Sequence, residues 1–255
     1  MDDLPLSGRV ALVTGGGRGI GAAISTELAL SGAAVVLTYR KDKRAADTLV
    51  DNLVGDGARA LAVQSHVDDP EASAEAVAAA ISQFGSLSLL VSNAGVASRG
   101  YGVADTTVDE LTSVLAVHAV GPHQLVRAAL PHLRQHQRSD VVFISSIATS
   151  VWGANGAPYA MGKAAVEALA HTLAKEERRH GVHVNIVAPG LTDTEMGRRL
   201  ARATRDVRDI HELDDRSPFG RVCAPEDIAR AVRFLVGPEG SYVNDQRIVI
   251  DGGTF

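Results

Sequence analysis

At 255 residues, with 45% hydrophobic and 22% charged side chains, the chain can bury a substantial core as one domain and has the composition of an ordinary water-soluble globular protein. A formal net charge of −5 argues against nucleic acid or an anionic membrane surface as partner, and no stretch approaches the ~20 apolar residues of a membrane span. The single cysteine, Cys223, excludes an intrachain disulfide and fits a reducing cytoplasm, as does an acidic Met1-Asp2-Asp3 start where a secretory signal would be basic.

Short apolar runs alternate with helical periodicity along the whole chain. Strands are predicted at 9–14, 34–39, 58–64, 87–92, 140–145, 182–188 and 247–250. Helices are predicted at about 19–30, from 43, at 70–84 with Pro70 in the first turn, at about 107–135, at about 157–180 and at 225–236. The 107–135 helix carries Pro122 and Pro131, either of which can kink or split it. Such alternation with brief loops implies an α/β fold, a doubly wound parallel sheet of Rossmann type, in a single domain spanning 1–255. The one long irregular segment, about 190–221, reads as a helical lid insertion. Met196, Leu200, Ala203, Val207 and Ile210 form an apolar stripe, and Arg198, Arg199, Arg202, Arg205 and Arg208 lie opposite. A mobile lid and a permanently docked helix both fit that pattern.

Two motifs carry the chemistry. Thr14-Gly15-Gly16-Gly17-Arg18-Gly19-Ile20-Gly21 follows the first strand and opens a helix, so that bare backbone N–H groups can meet a pyrophosphate. Tyr159 and Lys163 stand four residues apart on one helix face, close enough for the ammonium to favour the phenolate. A dinucleotide site with a tunable proton donor points to hydride transfer. Tyr39-Arg40-Lys41 ends the second strand where NAD-preferring sites place an acid, and Arg18 lies in the glycine turn; two guanidiniums suit the 2′-phosphate of NADP(H).

Read as Thr-Gly-x-x-x-Gly-x-Gly, the glycine turn resembles that of the short-chain dehydrogenase/reductase family. Ser92-Asn93-Ala94-Gly95, the interval of 13 residues from Ser146 to Tyr159, Pro189-Gly190 and Asp251-Gly252-Gly253 resemble further landmarks of that family in order along the chain. The resemblance implies that Tyr159 is the general acid for ketone reduction, that Lys163 lowers its pKa and holds the nicotinamide ribose, and that Ser146 donates to the substrate oxygen. It places Gly15, Arg18, Gly19, Ile20, Gly21, Arg40, Asn93, Ala94, Gly95, Pro189, Gly190, Thr192 and Thr194 around the cofactor, with Thr194 on the nicotinamide carboxamide. Two positions depart from it. His66 stands where an aspartate accepts a hydrogen bond from the adenine amino group; it either accepts as neutral imidazole or merely borders the pocket. His118 stands where an asparagine holds a proton-relay water. A histidine titrating near neutrality can sustain the relay in altered form, or the relay is broken and His118 simply packs in its helix.

The substrate pocket is expected to be lined by 98–103, by 149–157 including Trp152, and by the lid stripe. These groups are mostly small or apolar. They point to a ketone on a fairly hydrophobic skeleton: a 3-oxoacyl thioester, a polyketide-like intermediate or a cyclic ketone. An alcohol dehydrogenase acting oxidatively and a non-catalytic dinucleotide sensor are the alternatives. His132 and His136 have metal-ligand spacing without an evident third ligand, so no metal is expected. The family resemblance also implies a homotetramer, or a homodimer, joined through the long helix, the Tyr159 helix and the last strand.

Overall fold

The computed structural model describes residues 4–254, so the acidic Met1-Asp2-Asp3 start lies outside the described residues. Seven parallel strands form one sheet in the order β3-β2-β1-β4-β5-β6-β7. They are β1 (Val10–Val13), β2 (Ala34–Tyr39), β3 (Ala60–Gln64), β4 (Leu89–Ser92), β5 (Ser139–Ile144), β6 (Val182–Pro189) and β7 (Arg247–Ile250). Every residue of β1, β4 and β5 is buried, as expected of central strands covered on both faces. Val13 pairs with Leu37 of β2 on one side and Val91 of β4 on the other, so the strand order reverses at β1. Ligands of such sheets bind in the crevice beyond the strand carboxyl ends at that reversal.

Helices cover both faces. On one, α1 (Gly19–Leu30), α2 (Lys43–Gly55) and α9 (Pro225–Val236) bury Ile24, Leu28, Leu53, Val232 and Leu235. On the other, α3 (Pro70–Phe84), α5 (Gly121–Leu133) and α7 (Ala157–Glu177) bury Val77, Leu125, Leu133, Val166 and Leu173 against Phe143 of β5. The starts are chemically marked: the Asp69 carboxylate accepts from the Glu71 and Ala72 N–H groups, and Pro70 occupies a first-turn position where a missing N–H costs little.

The 107–135 segment departs from a single helix. Thr107 caps α4 (Val108–Leu115), a π-helical turn covers Ala116–Val120, and α5 then ends at Leu133. Pro122 has no N–H to offer the His118 carbonyl, and the Gly121 N–H reaches back five residues to Ala116 O. Because α5 stops at Leu133, His136 lies beyond it and does not share a helix face with His132.

The insertion is also more broken than its apolar stripe implies. Helix α8 spans only Glu195–Thr204, Asp206 takes a left-handed φ of 50°, and a 3₁₀ segment follows at Ile210–Arg216. Met196, Leu200 and Ala203 border the large cleft. Val207 and Ile210 instead pack with Ala201, Leu213 and Val222 in a small separate core that docks the segment.

Candidate active site

The glycine turn is built from both neighbouring strands. Gly15 N–H donates to Thr38 Oγ1 at 3.2 Å, and Thr14 Oγ1 accepts from Asn93 N–H at 3.0 Å and Ala94 N–H at 3.1 Å. Asn93 Nδ2 donates to Thr14 O at 2.8 Å, so Asn93 braces β1 against β4. The turn folds back so closely that a Cβ on Gly21 would stand 2.1 Å from Gly15 O. Only glycine fits there. Helix α1 begins with no side-chain cap, which leaves its first N–H groups for a ligand.

These elements line one cleft of about 2020 Å³, larger than one drug-sized ligand requires and suited to a dinucleotide together with a second molecule. Gly15, Arg18, Gly19, Ile20, Gly21, Arg40, Asn93, Ala94, Gly95, Pro189, Gly190, Thr192 and Thr194 all border it, together with Ser146, Tyr159, Lys163 and His118. Bare glycine backbone, uncapped helical donors and two guanidiniums at one end fit a phosphorylated dinucleotide. Arg18 is not idle, however: its Nη1 donates to Glu195 of α8 at 3.0 Å, joining the glycine turn to the insertion. Thr194 Oγ1 accepts from Gly197 N–H at 3.0 Å as the cap of α8.

The catalytic candidates meet at the carboxyl end of β5. Tyr159 and Lys163 lie on successive turns of α7, with Lys163 Nζ 5.8 Å from the phenol ring centroid and donating to Ile144 O at 2.6 Å. Burial pushes the Lys163 ammonium down to about 8, opposed by the charge of Glu167. The Tyr159 phenol departs from the sequence expectation. Burial raises its pKa above the ordinary range, and the opposing influence is a hydrogen bond with Ser146 rather than the lysine charge. The ammonium sits over the ring and gives one of its three N–H groups to the Ile144 carbonyl, while burial keeps the phenol protonated at neutral pH.

The substrate end differs in part from the expected lining. Ser98, Arg99 and Gly100 line the cleft, as do Val151 and 153–156, but Trp152 does not. Its left-handed φ of 52° turns it out, and it is 60% exposed. Sequence reading misses Val67, Asp68 and Phe219, all of which border the cleft. Phe219, with φ 59°, sits between Pro218 and Gly220; a bulky aromatic flanked by two loop formers is the available signal.

The family model for enoyl-(acyl carrier protein) reductases matches residues 15–254. The chain belongs to the short-chain dehydrogenase/reductase family. It is 36% identical over 262 residues to a versicolorin reductase of Emericella nidulans, covering 100% of this chain and 98% of that protein. It is 35% identical over 258 residues to elsinochrome reductase 1 of Elsinoe fawcettii, covering 97% and 94%. A crystal structure of a short chain dehydrogenase from Burkholderia cenocepacia in complex with NADP superposes with a TM-score of 0.88 at 37% identity, covering 98% of each chain.

Both departures from the family pattern acquire a physical setting. His66 does not line the cleft, whereas Ser65, Val67 and Asp68 do. The chain turns at this point, with Asp69 N–H donating to His66 O at 2.9 Å to open α3. His118 is buried in the π turn, wedged so tightly that a Cβ on Gly162 would meet its Cβ at 2.7 Å, and one on Gly95 its Cε1 at 2.8 Å. Its Nε2 lies 3.1 Å from Val96 N and 2.8 Å from Val96 O, and its ring stands edge-on to Tyr159 at 5.2 Å. Burial first, then the Lys163 charge, depress its pKa to about 4. The expected titration near neutrality is therefore replaced by an imidazole that is neutral throughout that range. Among the described residues no group of three or more His, Cys, Asp or Glu is placed to hold a metal, and no helix is long and apolar enough to cross a membrane.

Proposed function

We propose that this member of the family is an NADPH-dependent ketoreductase acting on a hydrophobic, polyketide-like or cyclic ketone. One observation carries the reading: Ser146, Tyr159 and Lys163 meet beside the glycine cradle, with the phenol held in its protonated form. NADPH, when bound, supplies the hydride. Glycine-turn N–H groups and the α1 N-terminus would hold its pyrophosphate, Arg40 its 2′-phosphate, and Lys163 with Thr192 and Thr194 its nicotinamide half. Ser146 orients the substrate oxygen and stabilises developing negative charge. Tyr159 delivers its proton to that oxygen, and Lys163 stabilises the phenolate left behind. His118 supports Tyr159 as a neutral, edge-on neighbour.

Met196, Leu200 and Phe219 give the substrate end an apolar wall, and relatives of the chain are named as reductases of versicolorin and elsinochrome. The proposal includes a cytoplasmic homotetramer; a sedimentation mass of one, two or four chains decides the assembly, and cell fractionation the location. A screen of NADPH consumption against aliphatic, 3-oxoacyl and polycyclic aromatic ketones tests the activity. Turnover of a polycyclic or cyclic ketone with NADPH is expected. No turnover of any ketone, with oxidation of alcohols by NAD instead, would refute it.

A further inference from the structure

Ser146 must hold its hydroxyl steady, yet the backbone carrying it is poorly anchored by packing. It leads into α6 (Ala148–Val151), a single turn with no buried residue. Two backbone bonds, Ser145 N–H to Val187 O at 2.8 Å and Ile147 N–H to Pro189 O at 3.0 Å, tie its flanks to β6. Locally, Ala148 N–H donates to Ser146 Oγ at 3.1 Å and Thr149 Oγ1 to Ser146 O at 2.9 Å; further polar restraint comes from two distant places in the chain. Arg247, in β7, uses Nη2 to reach Ser146 O at 3.3 Å, Thr149 Oγ1 at 2.8 Å and Ser150 Oγ at 3.1 Å. Its Nε donates to Glu167 Oε1 at 2.9 Å. That same carboxylate oxygen accepts from Ser145 Oγ at 2.5 Å and Thr149 Oγ1 at 2.8 Å. Glu167 follows Tyr159 and Lys163 at the next turn of α7, so the clamp is rooted in the helix that bears the proton donor. Both partners are mostly shielded, at 21% and 16% side-chain exposure, where a hydrogen-bonded charge pair is costly to break.

We propose that Arg247 and Glu167 are positioning residues for ketone reduction, a clamp that fixes the Ser146 backbone from β7 and α7 so that its hydroxyl meets the substrate oxygen. The inference rests on the ketoreductase reading. Misplacing a catalytic group by about 1 Å costs on the order of 100-fold, so Arg247→Gln and Glu167→Gln should each lower kcat about 10- to 100-fold at saturating NADPH. NADPH affinity, followed by its fluorescence, should stay within about threefold. The decisive comparison is a double-mutant cycle: in a Ser146→Ala background, Arg247→Gln should cost less than about threefold more, because its effect passes through the missing hydroxyl. Amides of residues 146–151 should exchange at least about tenfold faster in Arg247→Gln, a readout that needs no substrate.

Equal losses with and without the Ser146 hydroxyl, or unchanged kcat with unchanged exchange, would overturn the clamp. If the glutamine variants do not fold, Arg247→Lys keeps the charge, but its single nitrogen cannot replace both the Nε bond to Glu167 and the Nη2 bonds to the 146–150 turn, and the same cycle and exchange apply to it. Should the wild type reduce no ketone, the reductase reading fails and the exchange comparison alone decides the clamp.

Discussion

His118→Asn isolates the energetic consequence of burying an imidazole beside an ammonium. In the unfolded chain this histidine titrates near 6.5; in the fold its pKa is about 4. Each pH unit between those values weakens the folded state by about 1.4 kcal/mol, because the unfolded chain takes up a proton that the folded one refuses. The stability is fully present above about pH 6.5 and is lost as pH falls towards 4, for a total of about 3 kcal/mol. Asparagine does not titrate, so the unfolding free energy of the wild type minus that of the variant should drop by about 2 kcal/mol from about pH 7.5 to 5. Urea unfolding followed by circular dichroism, at one protein concentration and without cofactor, measures both proteins. Any loss of packing displaces the two curves by a constant, and other titrating groups cancel in the difference. Curves parallel within about 0.5 kcal/mol across that range would show that His118 is not held neutral, and the wedge between Gly95 and Gly162 would have to be abandoned as its cause.

Tyr159→Phe removes the only proton donor assigned to the reaction and should lower kcat by about 100- to 10,000-fold while NADPH still binds; brisk turnover by the phenylalanine variant would dismiss the proposed acid. Arg40→Asp should weaken NADPH binding by at least about 1.5 kcal/mol, the value of a charge-assisted bond, and favour NADH instead; titration of both cofactors checks this, and an unaltered preference for NADPH would count against Arg40. Gly21→Ala places a methyl 2.1 Å from Gly15 O and should abolish cofactor binding by prising open the turn. Calorimetric NADPH titration reads the loss, and wild-type affinity in the alanine variant would contradict the geometry.

The sheet and its glycine turn are legible in the sequence because their signals are local. Runs such as Leu89–Ser92 are apolar at nearly every position only if both faces are covered, and Gly21 is needed by a backbone contact six residues away. The lid is not, because periodicity reports which residues avoid water, not which surface they avoid it against. Met196 and Leu200 face the cleft while Ile210 packs on Leu213 and Val222, and one straight helix cannot serve both. The proton chemistry is illegible for a related reason. A lysine four residues from a tyrosine is visible in sequence, but the Ile144 carbonyl that captures its ammonium is brought there only by the fold. Arg247 likewise reads as nothing more than the start of a strand, since its partners at 146–150 lie about a hundred positions earlier.

The widened turn at Ala116–Val120 sets the phase of everything after it. A π turn absorbs about one extra residue, which advances the helical wheel by about 100°. That offset lets α4 and α5 aim different flanks inward although the chain runs through them without a loop. Excising one residue from the turn would restore a regular α-helical turn and leave Leu125, Val126, Ala129 and Leu133 facing the sheet, whereas a deletion within α5 itself would rotate the residues after it away from the sheet.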